Sequence, residues 1–188
     1  MLARRPLLAA GAGLLLAGQG SFAATTRLDQ PGSVVALRHA LAPGVGDPPG
    51  FALGDCSTQR NLDGRGRAQA RAIGAQLQAA GLEGAAVHSS RWCRCLETAE
   101  LLALGPVTPL PALDSFFQNP SERDARTGAL RAFLAEAGPT GPPLVLVTHQ
   151  VNISALVGRG TRSGEGIVLD RGPNGTLTER TALPPPAG

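Results

Sequence analysis

Four short runs of aliphatic residues stand out along the chain, each of strand length and each bounded by turn-forming residues. They are Val34–Leu37, Ala85–Val87, Val107–Leu110 and Leu144–Val147. The first follows Pro31-Gly32 and the last follows Pro142-Pro143, which are breakers. Between them the apolar positions change to helical spacing. Ala68, Ala72, Ile73, Gln76 and Leu77 predict a helix over 65–80 closed by Gly81. Leu96, Ala99, Leu102 and Ala103 predict a second over 92–104, closed by Gly105-Pro106. A third is expected over 127–137, before Gly138-Pro139, and a fourth over 151–157. Ile167–Asp170 and Thr176–Ala182 flank Gly172-Pro173-Asn174-Gly175 as an edge hairpin. Strands alternating with helices predict an α/β protein, a three-layer α/β/α sandwich around a mainly parallel sheet.

Two of these strands end at a histidine. Val34–Leu37 runs into Arg38-His39, and Leu144–Val147 runs into Thr148-His149. Ligands of open α/β sheets sit beyond the carboxyl ends of the strands, so both imidazoles can face one pocket. The run at 85–87 leads into Ser89-Ser90-Arg91-Trp92-Cys93-Arg94. Two imidazoles and at least two guanidiniums suit a phosphate ester better than other common substrates.

Composition narrows the picture. Every basic side chain is arginine, there is no tyrosine, and the formal net charge is +3. Removing Arg4 and Arg5 with the leader described next brings the charge to +1. The basic residues are scattered and aromatic residues make up only 3%, so nucleic acid gains no support as a partner. Residues 1–23 read as a signal peptide. Arg4-Arg5 is the charged start, Pro6–Gly18 is apolar and small, and Ser21-Phe22-Ala23 offers a cleavage site. The apolar run is shorter than the ~20 residues a membrane span needs, so no stable membrane anchor is expected. Residues 24–188 then form one domain, periplasmic or secreted. In such a compartment two of Cys56, Cys93 and Cys95 should be bridged. No ligand spacing suggests a metal, and no cofactor is called for. The Gly- and Pro-rich stretch 41–60 reads as a long surface excursion.

These motifs together resemble the histidine phosphatase (phosphoglycerate-mutase-like) superfamily. The resemblance rests on Leu37-Arg38-His39 after a buried strand, Ser89-Ser90 with Arg94 and Glu97-Thr98-Ala99, and Val147-Thr148-His149 before a helix. Leu62, Gly66, Gln69-Ala70 and Gly74 are similar to that family's first helix, so the likeness spans about 34–183. It departs at Ala40, where the family usually has glycine, and at Arg91, where proline is common. Asp55–Asn61 with Trp92-Cys93-Arg94 looks like an exported bacterial branch, and that likeness implies a Cys56–Cys93 disulfide with Cys95 free.

The resemblance implies a histidine acid phosphatase-like phosphomonoesterase. His39 would attack phosphorus as the neutral imidazole, giving a phosphohistidine that water hydrolyses. Arg38 and Arg94 would hold the phosphoryl oxygens, and a protonated His149 would add a third positive contact. Arg60 and Asn61 are further substrate-binding candidates from the excursion. The proton for the leaving alcohol would come from Asp114, with Asp55, Glu122 and Asp124 as alternatives. His88 is expected to be a satisfied structural histidine and Arg91 a solvated or rim residue. The expected partner is a small-molecule phosphate ester or a phosphorylated envelope component. Two other readings remain: a phosphate-ester binding module of the same fold, and a phosphoglycerate-type mutase. The mutase is disfavoured because its Glu-Arg-x-Tyr insertion needs a tyrosine that the chain lacks.

Overall fold

The computed structural model describes residues 27–186, so the leader proposed for residues 1–23 lies outside the described residues. Six strands form one sheet: β1 (Ser33–Arg38), β2 (Ala86–Ser89), β3 (Val107–Pro109), β4 (Leu144–Thr148), β5 (Gly166–Arg171) and β6 (Leu177–Leu183). Their order is β3-β2-β4-β1-β5-β6. The pairs β3–β2, β2–β4 and β4–β1 are parallel. β5 runs antiparallel to both β1 and β6, so it alone is reversed. The expected edge hairpin therefore continues the sheet: β5 docks on β1 and only β6 lies at the edge.

Alternation along the central strands sorts the core into two layers, because successive side chains of a strand point to opposite faces. Val35, Leu37, Val145 and Val147 join Ile73 and Leu77 of α1 (Gly64–Ala79) and Cys95 and Ala99 of α2 (Cys93–Leu101). Val34, Ala36, Leu144 and Leu146 join Leu130 and Leu134 of α3 (Arg123–Ala137) and Ile153 and Leu156 of α4 (Gln150–Val157). Both faces of β1 and β4 are covered, which is why these strands read as unbroken aliphatic runs.

Helix positions differ from expectation in three places. The buried face of α1 is Gly66, Ala70, Ile73, Gly74 and Leu77, while Ala68 and Ala72 face solvent. A Cβ on Gly66 would stand 2.0 Å from the Leu41 carbonyl oxygen, and one on Gly74 would stand 2.3 Å from that of Leu102. Backbone contact, not alanine packing, therefore sets the rotation of this helix. α2 stops at Leu101, because Ala103 takes a positive φ of 52°. α3 begins a turn early, at Arg123. Among the described residues no helix is long and apolar enough to cross a membrane.

The strand register builds the site. Arg38 pairs with Thr148 in the parallel β1–β4 ladder, and the His39 amide donates to the Thr148 carbonyl at 2.9 Å. The Ser90 amide donates to the Val147 carbonyl at 2.9 Å. Three chain segments thus leave the sheet side by side at the carboxyl ends of β1, β4 and β2.

Candidate active site

A cavity of about 470 Å³ opens above these strand ends. Arg38, His39, Arg60, Arg94 and His149 line it, together with Asp47 and Trp92. Each reaches it by a different element. Arg38 closes β1, and His149 is the residue before α4. Arg94 is in the first turn of α2, and Arg60 ends the excursion over 41–60. The cavity also meets Gln150 and Val151, whose amides belong to the first turn of α4 and have no partner within the helix.

Hydrogen bonding fixes the tautomer of His39. Its Nδ1 lies 2.7 Å from the Ala40 carbonyl oxygen, which can only accept. Nδ1 therefore carries the proton, and Nε2 keeps the lone pair. Burial, then the positive field of Arg94, push the His39 pKa down to about 3. The imidazole is neutral at pH 7, the form that can act as a nucleophile. His149 packs edge-on to His39 with ring centroids 5.5 Å apart. Its Nε2 stands 2.9 Å from Ser90 Oγ and 3.4 Å from Cys95 Sγ. Burial first, then the neighbouring His39, hold His149 well below its ordinary pKa. That direction runs against the protonated His149 expected from sequence.

The arginines are anchored without being used up. Arg38 Nη1 donates to the Thr161 carbonyl at 2.7 Å, and Arg60 donates to the carbonyls of Gly46 and Ala42. Arg94 Nη1 and Nη2 bind the two carboxylate oxygens of Asp47 at 2.7 and 3.1 Å. Buried Nε atoms of Arg38 and Arg94 have no partner within the protein. Both atoms are closed off from solvent, so the N–H groups able to meet a ligand in the cavity are those on the terminal guanidinium nitrogens. A phosphoryl group has three acceptor oxygens and the matching charge.

The acids fall into a different arrangement from that expected. Asp114 is fully buried and does not line the cavity. Its carboxylate takes the Arg91 amide at 2.9 Å, Arg91 Nε at 2.8 Å, and weaker contacts at 3.4 Å from Ser90 Oγ and Arg126 Nη1. A carboxylate held by two guanidiniums behind the site is placed to position other residues, not to hand a proton to a leaving group. Asp55 instead caps the turn at Cys56–Thr58. Asp124 is not on the cavity wall, whereas Glu122 is, ion-paired with Arg126.

Asn61 also lies away from the site. Its amide donates to the Cys56 carbonyl at 2.6 Å, on the side of the molecule where Cys56 meets Cys93. Those two cysteines form a disulfide, and Cys95 is a buried free thiol. Arg91 is partly exposed and does not line the cavity; its guanidinium is ion-paired with Asp114. His88 packs edge-on to Phe133, yet its Nδ1 has no partner, so it is structural without being satisfied.

Asp47 is the site residue that sequence reading missed. It is buried, takes the Arg60 amide and Trp92 Nε1 at 3.0 Å each, and clamps Arg94. In sequence it is one acid in Gly46-Asp47-Pro48-Pro49, which reads as a turn former. Arg126 was missed as well, although its i, i+4 spacing from Glu122 was visible. Among the described residues, no group of three or more His, Cys, Asp or Glu side chains converges as a metal site requires.

Comparison with known proteins agrees with this fold. The family model of the histidine phosphatase superfamily (branch 1) matches residues 54–117. No curated protein matches the chain by sequence. Among solved structures, the protein histidine phosphatase SixA complexed with tungstate is similar at 17% identity and a TM-score of 0.56. That match covers 80% of this chain and 96% of SixA. A SixA-type phosphohistidine phosphatase from Agrobacterium tumefaciens is 18% identical with a TM-score of 0.58, over 83% and 99% of the two chains. A mycobacterial glucosyl-3-phosphoglycerate phosphatase gives 18% and 0.58, over 79% and 95%. At these identities the likeness is one of fold.

Proposed function

We propose that this chain, a member of the histidine phosphatase superfamily, hydrolyses phosphomonoesters outside the cytoplasm through a phosphohistidine on His39. One observation carries the reading. The Ala40 carbonyl holds the proton on His39 Nδ1, so Nε2 presents its lone pair in a cavity where Arg38, Arg60 and Arg94 meet. Nε2 forms the bond to phosphorus as the ester P–O bond breaks; the alkoxide leaves with that electron pair and takes a proton from solvent water, which the water attacking in the next step gives back. Arg38, Arg60 and Arg94, which line the cavity, supply the positive charge and the N–H groups that bind the phosphoryl oxygens. Water then attacks phosphorus, and the P–N bond breaks to return His39 and phosphate. The charge of the ester is met by guanidinium groups and by the α4 amides, so the route needs no metal.

Export rests on the leader sequence over residues 1–23 and gains support from the Cys56–Cys93 bridge, which suits an oxidising compartment. The phosphatases named above support hydrolysis over phosphoryl transfer between substrates.

Rapid acid-free quenching during turnover of p-nitrophenyl phosphate with EDTA present tests the mechanism. Wild type should carry acid-labile, base-stable phosphate, and His39→Ala should carry none and lose turnover. More than a few per cent of residual activity in His39→Ala would overturn the assignment. The binding-module reading has one observation in its favour, the Asp114 carboxylate already held by Arg91. Tungstate binding without any turnover would select it.

A further inference from the structure

Among the described residues the exposed large apolar side chains are Val45, Leu53 and Phe117, at 88, 40 and 52% exposure. All three stand on the wall or rim of the cavity that holds His39. Elsewhere on the described surface such side chains are covered, so their concentration here marks a binding face. Val45 is carried at a loop tip between Gly44 and Gly46, whose φ values of +93° and +70° side-chain-bearing residues rarely adopt. That tip meets Phe117: a Cβ on Gly46 would lie 3.8 Å from the Phe117 ring. Gln118 Nε2 donates to the Asp47 carbonyl at 3.3 Å and ties the same two loops together. Deeper in, Phe51 packs on Trp92 with centroids 5.7 Å apart, continuing the apolar wall towards His149.

The charged part of the rim is occupied with itself. Glu122 takes Asn119 Nδ2 at 3.0 Å and Arg126 Nε at 2.8 Å, and Arg126 Nη1 donates to the Pro111 carbonyl at 2.7 Å. A hydroxyl-rich ligand would have to break these bonds to use Glu122 or Arg126. The phosphoryl group needs only the inner end of the cavity, and a volume of about 470 Å³ leaves room for a sizeable organic group.

We infer that the organic half of the ester is apolar, an alkyl or aryl group lying between the Val45 tip and Phe117, and not a sugar or other polyol. This inference rests on the phosphomonoesterase reading only for the orientation of the ligand. The anion is drawn inward by Arg38, Arg60 and Arg94, so whatever it is attached to must lie against the apolar rim.

Calorimetric binding of non-hydrolysable n-alkylphosphonates, methyl to octyl, tests the inference apart from catalysis. Affinity should rise roughly fourfold per methylene over the first several carbons, the gain expected for burying a methylene. Val45→Ser with Phe117→Ser should shrink the octyl-to-methyl affinity ratio by about tenfold or more. Both positions are exposed, so neither change threatens the core. Hydrolysis of octyl phosphate and glucose 6-phosphate is then compared, with the octyl ester expected to have the higher kcat/KM. A flat phosphonate series, or a sugar phosphate turned over better than the alkyl ester, would overturn the inference while leaving the phosphatase reading intact. A rising series without turnover on any ester would support the apolar site and sink the phosphatase reading. Absence of any phosphonate binding would sink both.

Discussion

Asp47 holds both terminal nitrogens of Arg94, with each side chain only 4% exposed. Burial alone would raise the Asp47 carboxyl, but hydrogen bonds from Arg94, the Arg60 amide and Trp92 outweigh it and hold the pKa below the ordinary value. The clamp fixes the orientation of the Arg94 guanidinium at the cavity wall. Removing it should be expensive, because breaking one side of a buried ion pair leaves an uncompensated charge. Asp47→Ala should lower stability by about 3–5 kcal/mol in urea unfolding. Asp47→Asn keeps the shape and loses the charge, so it should cost less. A loss within 0.5 kcal/mol for Asp47→Ala, roughly that of an ordinary surface change, would show that the clamp does not hold the site.

The Cys56–Cys93 disulfide closes a loop with a sequence separation of 37 and fastens the excursion bearing Asp47 and Arg60 to the start of α2. On the chain-entropy model a loop of that length contributes roughly 4 kcal/mol. Cys56→Ser should therefore lower the unfolding midpoint sharply and loosen Arg60 and Arg94 together, raising KM. Burial pushes the Cys95 thiol up to about 12, so it should resist thiol reagents in the folded state. Thiol titration of native protein should find no reactive group, and of denatured, unreduced protein one per chain. Three reactive thiols after denaturation would remove the bridge.

How much of this was legible in the sequence depended on how far apart the partners lay. β1 and β4 could be read because each is apolar on both faces and ends at a histidine, and their register needs only the strands themselves. The family motifs put His39, His149, Arg38 and Arg94 into one pocket before any coordinates. Asp47 could not be read, since its role comes from a contact 47 residues away with Arg94, and an aspartate between glycine and proline has a local explanation already. Asp114 misled for the converse reason. Its position after the third strand matched a proton donor, but the reach of Arg91 and Arg126 to its carboxylate is a tertiary fact. The α1 rotation was misread because alanine spacing looks like packing until glycines show where backbones touch.

Asp114 is expected to act through Ser90. Ser90 Oγ lies 2.9 Å from His149 Nε2 and 3.4 Å from Asp114 Oδ1, and Asn152 and Thr148 pin the Asp114 loop through the carbonyls of Asp114 and Leu113. Asp114→Asn should then slow an alkyl phosphate and p-nitrophenyl phosphate by similar factors, because a displaced His149 affects both. A general acid would behave otherwise, since the alkoxide needs a proton and nitrophenolate hardly does. A loss of ~10²–10⁴ confined to the alkyl ester would return the acid role to Asp114. The same pair of substrates applied to Glu122→Gln decides whether the carboxylate on the cavity wall supplies the proton.

The two imidazoles make a pH prediction whose sign follows from their direction of shift. His39 is held near 3 and His149 well below its ordinary value, chiefly by burial. Both are neutral when folded at pH 6, whereas unfolded histidines begin to protonate near 6.5. The unfolded state therefore binds more protons below that pH, and stability should fall as pH drops through 6.5 towards 3. The contribution is complete above 6.5. These two groups together add up to ~2.7 kcal/mol per pH unit in that window, on top of His88, which burial also lowers, and His149→Gln should remove up to ~1.4 of it. A bound oxyanion reverses the balance: its negative charge beside His149 raises the imidazole pKa, so binding should take up a proton. Titrating tungstate at pH 6 in two buffers of different ionisation enthalpy measures that uptake directly. Wild type should show a clear buffer-dependent heat and His149→Gln a smaller one. Equal heats in both buffers for wild type would mean that His149 stays neutral beside the anion and contributes a hydrogen bond without a charge.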